Sequence, residues 1–138
     1  MENCIFCKII SGDIPCYKVF ENDKIFAFLD ISPIAEGHTL IIPKKHFSNI
    51  FEIDNDYLQE LILVAKELAI KMKLNLGAAG VNIFQSNGIE GEQTVFHFHL
   101  HLIPRKDNDG INFSEVLVKN IKKLESERFE EVKNIFIK

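Results

Sequence analysis

The sequence predicts an α+β fold: a five-stranded antiparallel sheet, one long helix and a helix-prone C-terminal segment. Two observations predict it. Five short β-rich stretches arrive as hairpin-compatible pieces rather than as repeated βαβ units, which favours antiparallel pairing. Between the third and fourth of them, apolar residues recur at helical spacing over more than three turns.

Taken in order, "CYKVFEN" (16–22) and "KIFAFLD" (24–30) flank the turn-like "END" and read as a hairpin. "HTLIIP" (38–43) is β-rich and ends at Pro43. The helix follows. Asp56 at its N-cap with Gln59 three residues on predicts a capping box. Leu58, Leu61, Ile62, Ala65, Leu68, Ala69 and Met72 then form its apolar stripe, and Lys71, Lys73 and Gly77 its stop. "VNIFQSN" (81–87) and "FHFHLHLIP" (96–104) are the last strands, separated by the glycine-containing loop "NGIEGEQT". After Gly110 the chain turns helix-prone, with Ser114 and Ser126 as caps. The long helix is expected to cover one side of the sheet.

A chain of 138 residues, 46% hydrophobic, is the size of one domain, so residues 1–138 are expected to fold as one. No apolar run approaches the roughly 20 residues needed to span a bilayer, which excludes a membrane role. "MENCIFCKII" lacks the basic start and cleavage site of a secretory signal. Three cysteines without export signals point to a reducing compartment and a cytoplasmic protein. With Lys+Arg 16 against Asp+Glu 20, the net charge of −4 disfavours a nucleic-acid polymer as partner. A small anion held by local donors remains compatible.

Chemistry concentrates in "VFHFHLHLIPR" (95–105), where His97, His99 and His101 alternate. On a strand, residues two apart share a face at about 6–7 Å. All three imidazoles then line one face while Phe98, Leu100 and Leu102 bury the other. The outer two would sit roughly 13 Å apart at the backbone, too far to converge easily on one ion. The preceding "GEQTV" offers Gly91, Gln93, Thr94 and turn N–H groups, donors suited to a phosphate. Nucleophilic or acid–base chemistry on phosphorus therefore reads better than a metal-only triplet. A separate pattern, "CIFC", spaces Cys4 and Cys7 as two thiolates reaching one tetrahedral ion would be. His38 and His46 are the remaining histidines, and two histidines would complete a Cys2His2 set. Cys16 reads as a plain apolar residue.

"HFHLHLI" matches the pattern His-x-His-x-His followed by two apolar residues. Together with "FAFLDISPIAEGHTLIIPKKH" and "GEQTVFHFHLHLIPR", it resembles the histidine-triad (HIT) superfamily, especially its Hint branch. The likeness runs from about residue 4 to residue 106 and leaves 107–138 as a helix-prone extension. It implies a HIT-like fold, a homodimer, and hydrolysis or transfer of nucleoside monophosphates through a covalent histidine intermediate.

Carried onto this chain, the resemblance implies His99 as nucleophile, its other ring nitrogen held by a backbone carbonyl near His97. His101, with Gln93 and Thr94, would hold the α-phosphate and assist the leaving group, with His38 in support. Asp30 would receive the ribose hydroxyls. Ile5, Phe6, Ile9, Phe28 and Leu29 would clamp a purine, and Ile31, Ser86, Asn87 and Val95 would complete the nucleotide contacts. Bacterial-type relatives with CxxC imply structural zinc on Cys4, Cys7, His46 and His97, and no organic cofactor. His97 would then brace the strand that carries His99.

Two positions depart from the pattern. Ser86 stands where relatives carry Asn or Gln, and Glu92 where they carry Gly; Glu92 is expected to point outward. Relatives that transfer nucleotides between sugars carry Gln at the third histidine position, and this chain has His101. Hydrolysis is therefore expected. The first reading is a phosphoramidase-type hydrolase acting on purine, foremost adenosine, 5'-monophosphate derivatives. The alternatives are a dinucleoside polyphosphate hydrolase and a non-enzymatic nucleotide-binding scaffold.

Overall fold

The computed structural model describes residues 3–138. A short helix, α1 (Ile5–Ser11), comes first, and the sequence reading did not include it. Seven residues are too few for a periodic stripe to register, and its N-cap is an unusual one. The Cys4 Sγ accepts the Cys7 N–H at 3.4 Å, and Gly12, at φ 86°, ends the helix in the left-handed region that glycine tolerates.

The hairpin forms as β1 (Lys18–Glu21) and β2 (Ile25–Leu29). The Asn22 Oδ1 closes its turn by accepting the N–H groups of Lys24 and Ile25. Then come β3 (Thr39–Pro43), α2 (Asn55–Asn75), β4 (Gly80–Phe84), β5 (Leu100–Arg105), α3 (Phe113–Lys119) and α4 (Ser126–Phe136). The strands form one five-stranded sheet in the order β1-β2-β3-β5-β4, every neighbouring pair antiparallel. The α+β expectation holds.

Both faces of the sheet are covered near its middle, which is why β2 and β3 read as continuous apolar runs. Ile25, Ala27, Ile41, Leu100 and Leu102 pack under Leu61, Val64, Ala65, Leu68 and Met72 of α2. On the other face Phe26, Phe28, Leu40 and Ile42 meet Phe6 and Ile9 of α1. Cys16 packs at the margin of that second cluster, as an apolar residue would.

Three boundaries differ from expectation, each because a long-range partner outcompetes the local signal. The helix starts at Asn55 with Asp54 at the N-cap, so the Asp56–Gln59 capping box does not form. Asp56 sits in the first turn instead, where its carboxylate takes the Lys24 ammonium at 2.7 Å. The last strand begins at Leu100 rather than at residue 96. The Phe98 N–H donates to the Phe47 carbonyl at 2.7 Å, which draws 96–99 out of the ladder. The fourth strand stops at Phe84, and the Gln85 amide turns to the Asn87 side chain beyond it. In the C-terminal segment, Asn112 caps α3, accepting the Glu115 N–H. Ser126 is the first residue of α4, after Glu125. No helix among the described residues is long and apolar enough to cross a membrane.

Candidate active site and metal centre

His97 and His99 lie in the extended segment before β5, and His101 lies within it. Their alternation survives: Phe98, Leu100 and Leu102 enter the α2-side core while the histidines meet α1 and β3.

Hydrogen bonds assign a role to each ring nitrogen. A backbone carbonyl can only accept, so the Nδ1–H of His99 donates to the His97 oxygen at 2.8 Å. The neutral ring then carries its lone pair on Nε2. Burial lowers the pKa of His99 and outweighs the opposing pull of that hydrogen bond and of Asp30. At neutral pH the ring is an unprotonated nucleophile.

The Ile34 N–H donates to Nδ1 of His38 at 3.3 Å, so the His38 proton sits on Nε2. That N–H points to Nδ1 of His101, 2.9 Å away. The remaining nitrogen of His101, Nε2, therefore bears the proton and is a hydrogen-bond donor. Burial, with His99 and His38 adding to it, holds His101 at about 4, neutral at physiological pH. Asp30 lies beside the pair, 3.7 Å from Nε2 of His38. Asp30, His38 and His101 could be taken for three metal ligands by proximity. The proton on His38 Nε2 argues against it, since it occupies the position an ion would need. Phe6 completes the setting, its ring near-perpendicular to that of His99 at 5.1 Å.

The metal-ligand expectation concerns the other end of the segment. Cys4, Cys7, His46 and His97 bring one sulfur or nitrogen each to within 4.8 Å of one another. The individual separations are 3.3 Å (Cys4 Sγ to His97 Nδ1), 3.4 Å (Cys7 Sγ to His46 Nδ1), 3.5 Å (Cys7 Sγ to His97 Nδ1) and 3.1 Å (between the two Nδ1 atoms). A tetrahedron with metal–ligand bonds of about 2.0–2.3 Å has edges of about 3.3–3.8 Å. The four residues fit a metal ion. The Nε2–H of His97 donates to the Pro43 carbonyl at 2.8 Å, which turns the Nδ1 lone pair inward. Burial lowers the pKa of His97 to about 4 and that of His46 less markedly, so both rings are free of the competing proton. Burial and the neighbouring Cys4 raise the pKa of Cys7, whose thiolate a cation would stabilise.

The remaining expected contacts divide. Gln93 is buried, and its amide is already used. It donates to the Ser48 and Val95 carbonyls at 2.6 and 3.1 Å and accepts the Gly88 N–H at 2.9 Å. No side-chain donor is left for a phosphate, so Gln93 braces the loop instead. Thr94 is exposed and Val95 half-buried beside it. Both, with Ile5, His46, Ser48 and Phe96, line a cleft of about 590 Å³ on the metal-cluster side. Asp30, His99 and His101 lie outside that cleft. The Asn87 Oδ1 accepts the Ile50 N–H at 2.7 Å, tying its loop to the segment before α2. Ser86 is half-buried next to it. Glu92 points outward, as expected, but at φ 63° it occupies the left-handed region that suits glycine.

Of the apolar clamp, Phe6, Ile9 and Phe28 are sealed into the second core cluster. Ile5 and Ile31, 47% and 82% exposed, still offer surface to a base, and Leu29 is half-buried. Sequence reasoning missed the Pro43 carbonyl and the Ile34 N–H, because backbone groups leave no mark in the letters.

Residues 11–108 match the HIT domain. The chain belongs to the HIT family. This HIT domain is 48% identical over 109 residues to the adenosine 5'-monophosphoramidase of Candida albicans, covering 76% of this chain and 72% of the relative. A HIT family protein from Bacillus anthracis superposes with a TM-score of 0.81 at 42% identity, over 97% of this chain and 92% of its own. A zinc-bound histidine triad family protein from Mycobacterium smegmatis superposes with a TM-score of 0.78 at 36% identity, over 81% of each chain.

Proposed function

We propose that this HIT domain hydrolyses purine nucleoside 5'-monophosphate derivatives, foremost adenosine phosphoramidates, through a nucleotidyl-His99 intermediate. One observation carries the reading: the His97 carbonyl holds Nδ1 of His99, leaving Nε2 as the free lone pair beside the N–H of His101. Nε2 attacks the α-phosphorus, and the P–N bond breaks as the N–P bond forms. His101 donates to the phosphate oxygens and to the departing group, stabilising the charge that builds there. Water then displaces His99 and releases the monophosphate. Asp30 receives the ribose hydroxyls, Thr94 and the neighbouring N–H groups hold the phosphate, and Ile5 and Ile31 flank the base.

The cluster of Cys4, Cys7, His46 and His97 is read as a closed structural zinc site, the S2N2 tetrahedral set that zinc favours. Its free thiols suit a reducing, cytoplasmic setting. A homodimer is supported by exposed Ile62, Leu63, Ile70 and Leu74 on α2, next to the open edge at Ile83 and Phe84. Light scattering at micromolar concentration should give twice the chain mass; a monomer mass refutes it.

The deciding experiment compares kcat/KM across adenylate and guanylate amides and dinucleoside polyphosphates, with quenched samples examined by intact mass spectrometry. Amides should turn over fastest, with a nucleotidyl adduct mapped to His99. Turnover without an adduct, or an adduct elsewhere, overturns the mechanism. Binding without turnover leaves a nucleotide-binding scaffold.

A further inference from the structure

We propose that Phe6 is a positioning residue for the nucleophile and that the Cys4–Cys7 metal cluster acts on His99 through it. The inference rests on the reading of His99 as nucleophile. Phe6 is only 6% exposed, so it has little surface to give a nucleobase. Its ring is spent on other rings: His99 at 5.1 Å and 82°, His97 at 5.8 Å and 75°, Phe28 at 5.6 Å and 69°.

The need for such a support follows from the geometry of His99. A single hydrogen bond at Nδ1 fixes one atom of the imidazole but not the plane of the ring. The lone pair on Nε2 lies in that plane, so its aim at phosphorus depends on what touches the ring. The aromatic neighbours are Phe6 and His101, the latter at 5.0 Å and 64°.

Phe6 in turn is placed by the cluster. It lies between Cys4 and Cys7 in a helix of seven residues, a length that is marginal without anchoring. The two sulfurs converge on His46 and His97. An ion there would tie α1 to His97, the residue whose carbonyl also holds His99. Metal and nucleophile thus share two connections, the His97 backbone and the Phe6 ring.

The test measures single-turnover adduct formation, AMP affinity and metal content for wild type, Phe6→Leu, and the metal-free Cys4→Ser/Cys7→Ser protein. It also follows the Cε1–H resonance of His99 by NMR in the absence of nucleotide. Phe6→Leu should slow adduct formation about 10–100-fold, the scale of a small misplacement of a reacting group. AMP affinity should stay within about threefold and metal content should not change. The metal-free protein should show the same pattern, and combining the changes should be less than additive. The His99 resonance should move in both variants. Phe6→Met serves in the same role if Phe6→Leu does not fold. An unchanged adduct rate, or a fall matched by the same loss of AMP affinity, overturns the proposal in favour of a base wall. So does a His99 resonance indifferent to metal removal. If wild type forms no adduct at all, the functional reading fails, while the resonance still reports whether Phe6 and the metal orient the ring.

Discussion

The carbonyl oxygen of His97 accepts the Nδ1–H of His99 at 2.8 Å while the His97 side chain turns to the cysteines. One residue thus serves two sites. Its imidazole belongs to the metal cluster and its peptide group to the nucleophile. The three histidines of the alternating stretch are therefore inequivalent despite their regular spacing.

That inequivalence is measurable. His99→Ala should lose essentially all turnover yet still bind nucleoside monophosphate, because no neighbouring group replaces a covalent nucleophile. His101→Ala should keep a covalent step slowed about 10²–10⁴-fold, the usual worth of acid–base and donor help. His97→Ala should act through metal loss and positioning. Steady-state kinetics with adduct trapping decides; equal losses from all three would sink the assignment.

Purified protein should contain about one zinc per chain, the content of a closed tetrahedral site. Replacing Cys4 and Cys7 by Ser should remove it and lower the melting temperature, since ligand binding to the folded state is folding free energy. Turnover should fall far less than in His99→Ala. Elemental analysis alongside thermal melts checks both. Abolished turnover on chelation, with the fold intact, would instead indicate a metal-dependent hydrolysis.

Acid should destabilise the fold over a defined window. His101 titrates at about 4 in the folded chain, against about 6.5 for an unfolded imidazole. Between those values the unfolded state binds the proton and the folded state does not. Stability from this residue is therefore intact above about pH 6.5 and lost as pH falls towards 4. His97 contributes with the same sign. Urea midpoints at pH 7.5, 6 and 5 should decline progressively, and His101→Asn should flatten the decline. A constant midpoint across that range would contradict the burial argument.

Two adjacent loop positions should respond in opposite directions. Glu92 holds φ 63°, a conformation that costs a residue with a Cβ about 1–2 kcal/mol. Glu92→Gly should stabilise by up to ~1 kcal/mol after the added unfolded-state entropy is subtracted. At Gly91 an added Cβ would collide with the Asn87 carbonyl, so Gly91→Ala should destabilise. Chemical denaturation of both variants tests the pair, and stabilisation by Gly91→Ala would mean the loop is not held this way.

Legibility followed the range of the interaction. The apolar stripe of α2 and the alternation at Phe98, Leu100 and Leu102 are local periodicities, and the structure keeps them. Two cysteines three residues apart read as a ligand pair because one helical turn brings them together. The clamp was legible only as apolar residues. Whether Phe6 faced a base or the core depended on α1 docking against β2 and β3, elements well separated from it in the chain.

By itself, then, the sequence determined which residues form strands and the long helix, which face of the last strand carries histidine, and which side chains carry the chemistry. These follow from backbone periods of two and 3.6 residues and from side-chain type. The tertiary structure alone decided the protonation pattern and the division of labour. His97 reaches the Pro43 carbonyl and His38 reaches His101 across 54 and 63 residues of chain. A ring nitrogen becomes donor, nucleophile or ligand according to the partner at its other end. Such partners are backbone and side-chain groups that only the folded sheet brings within 3 Å.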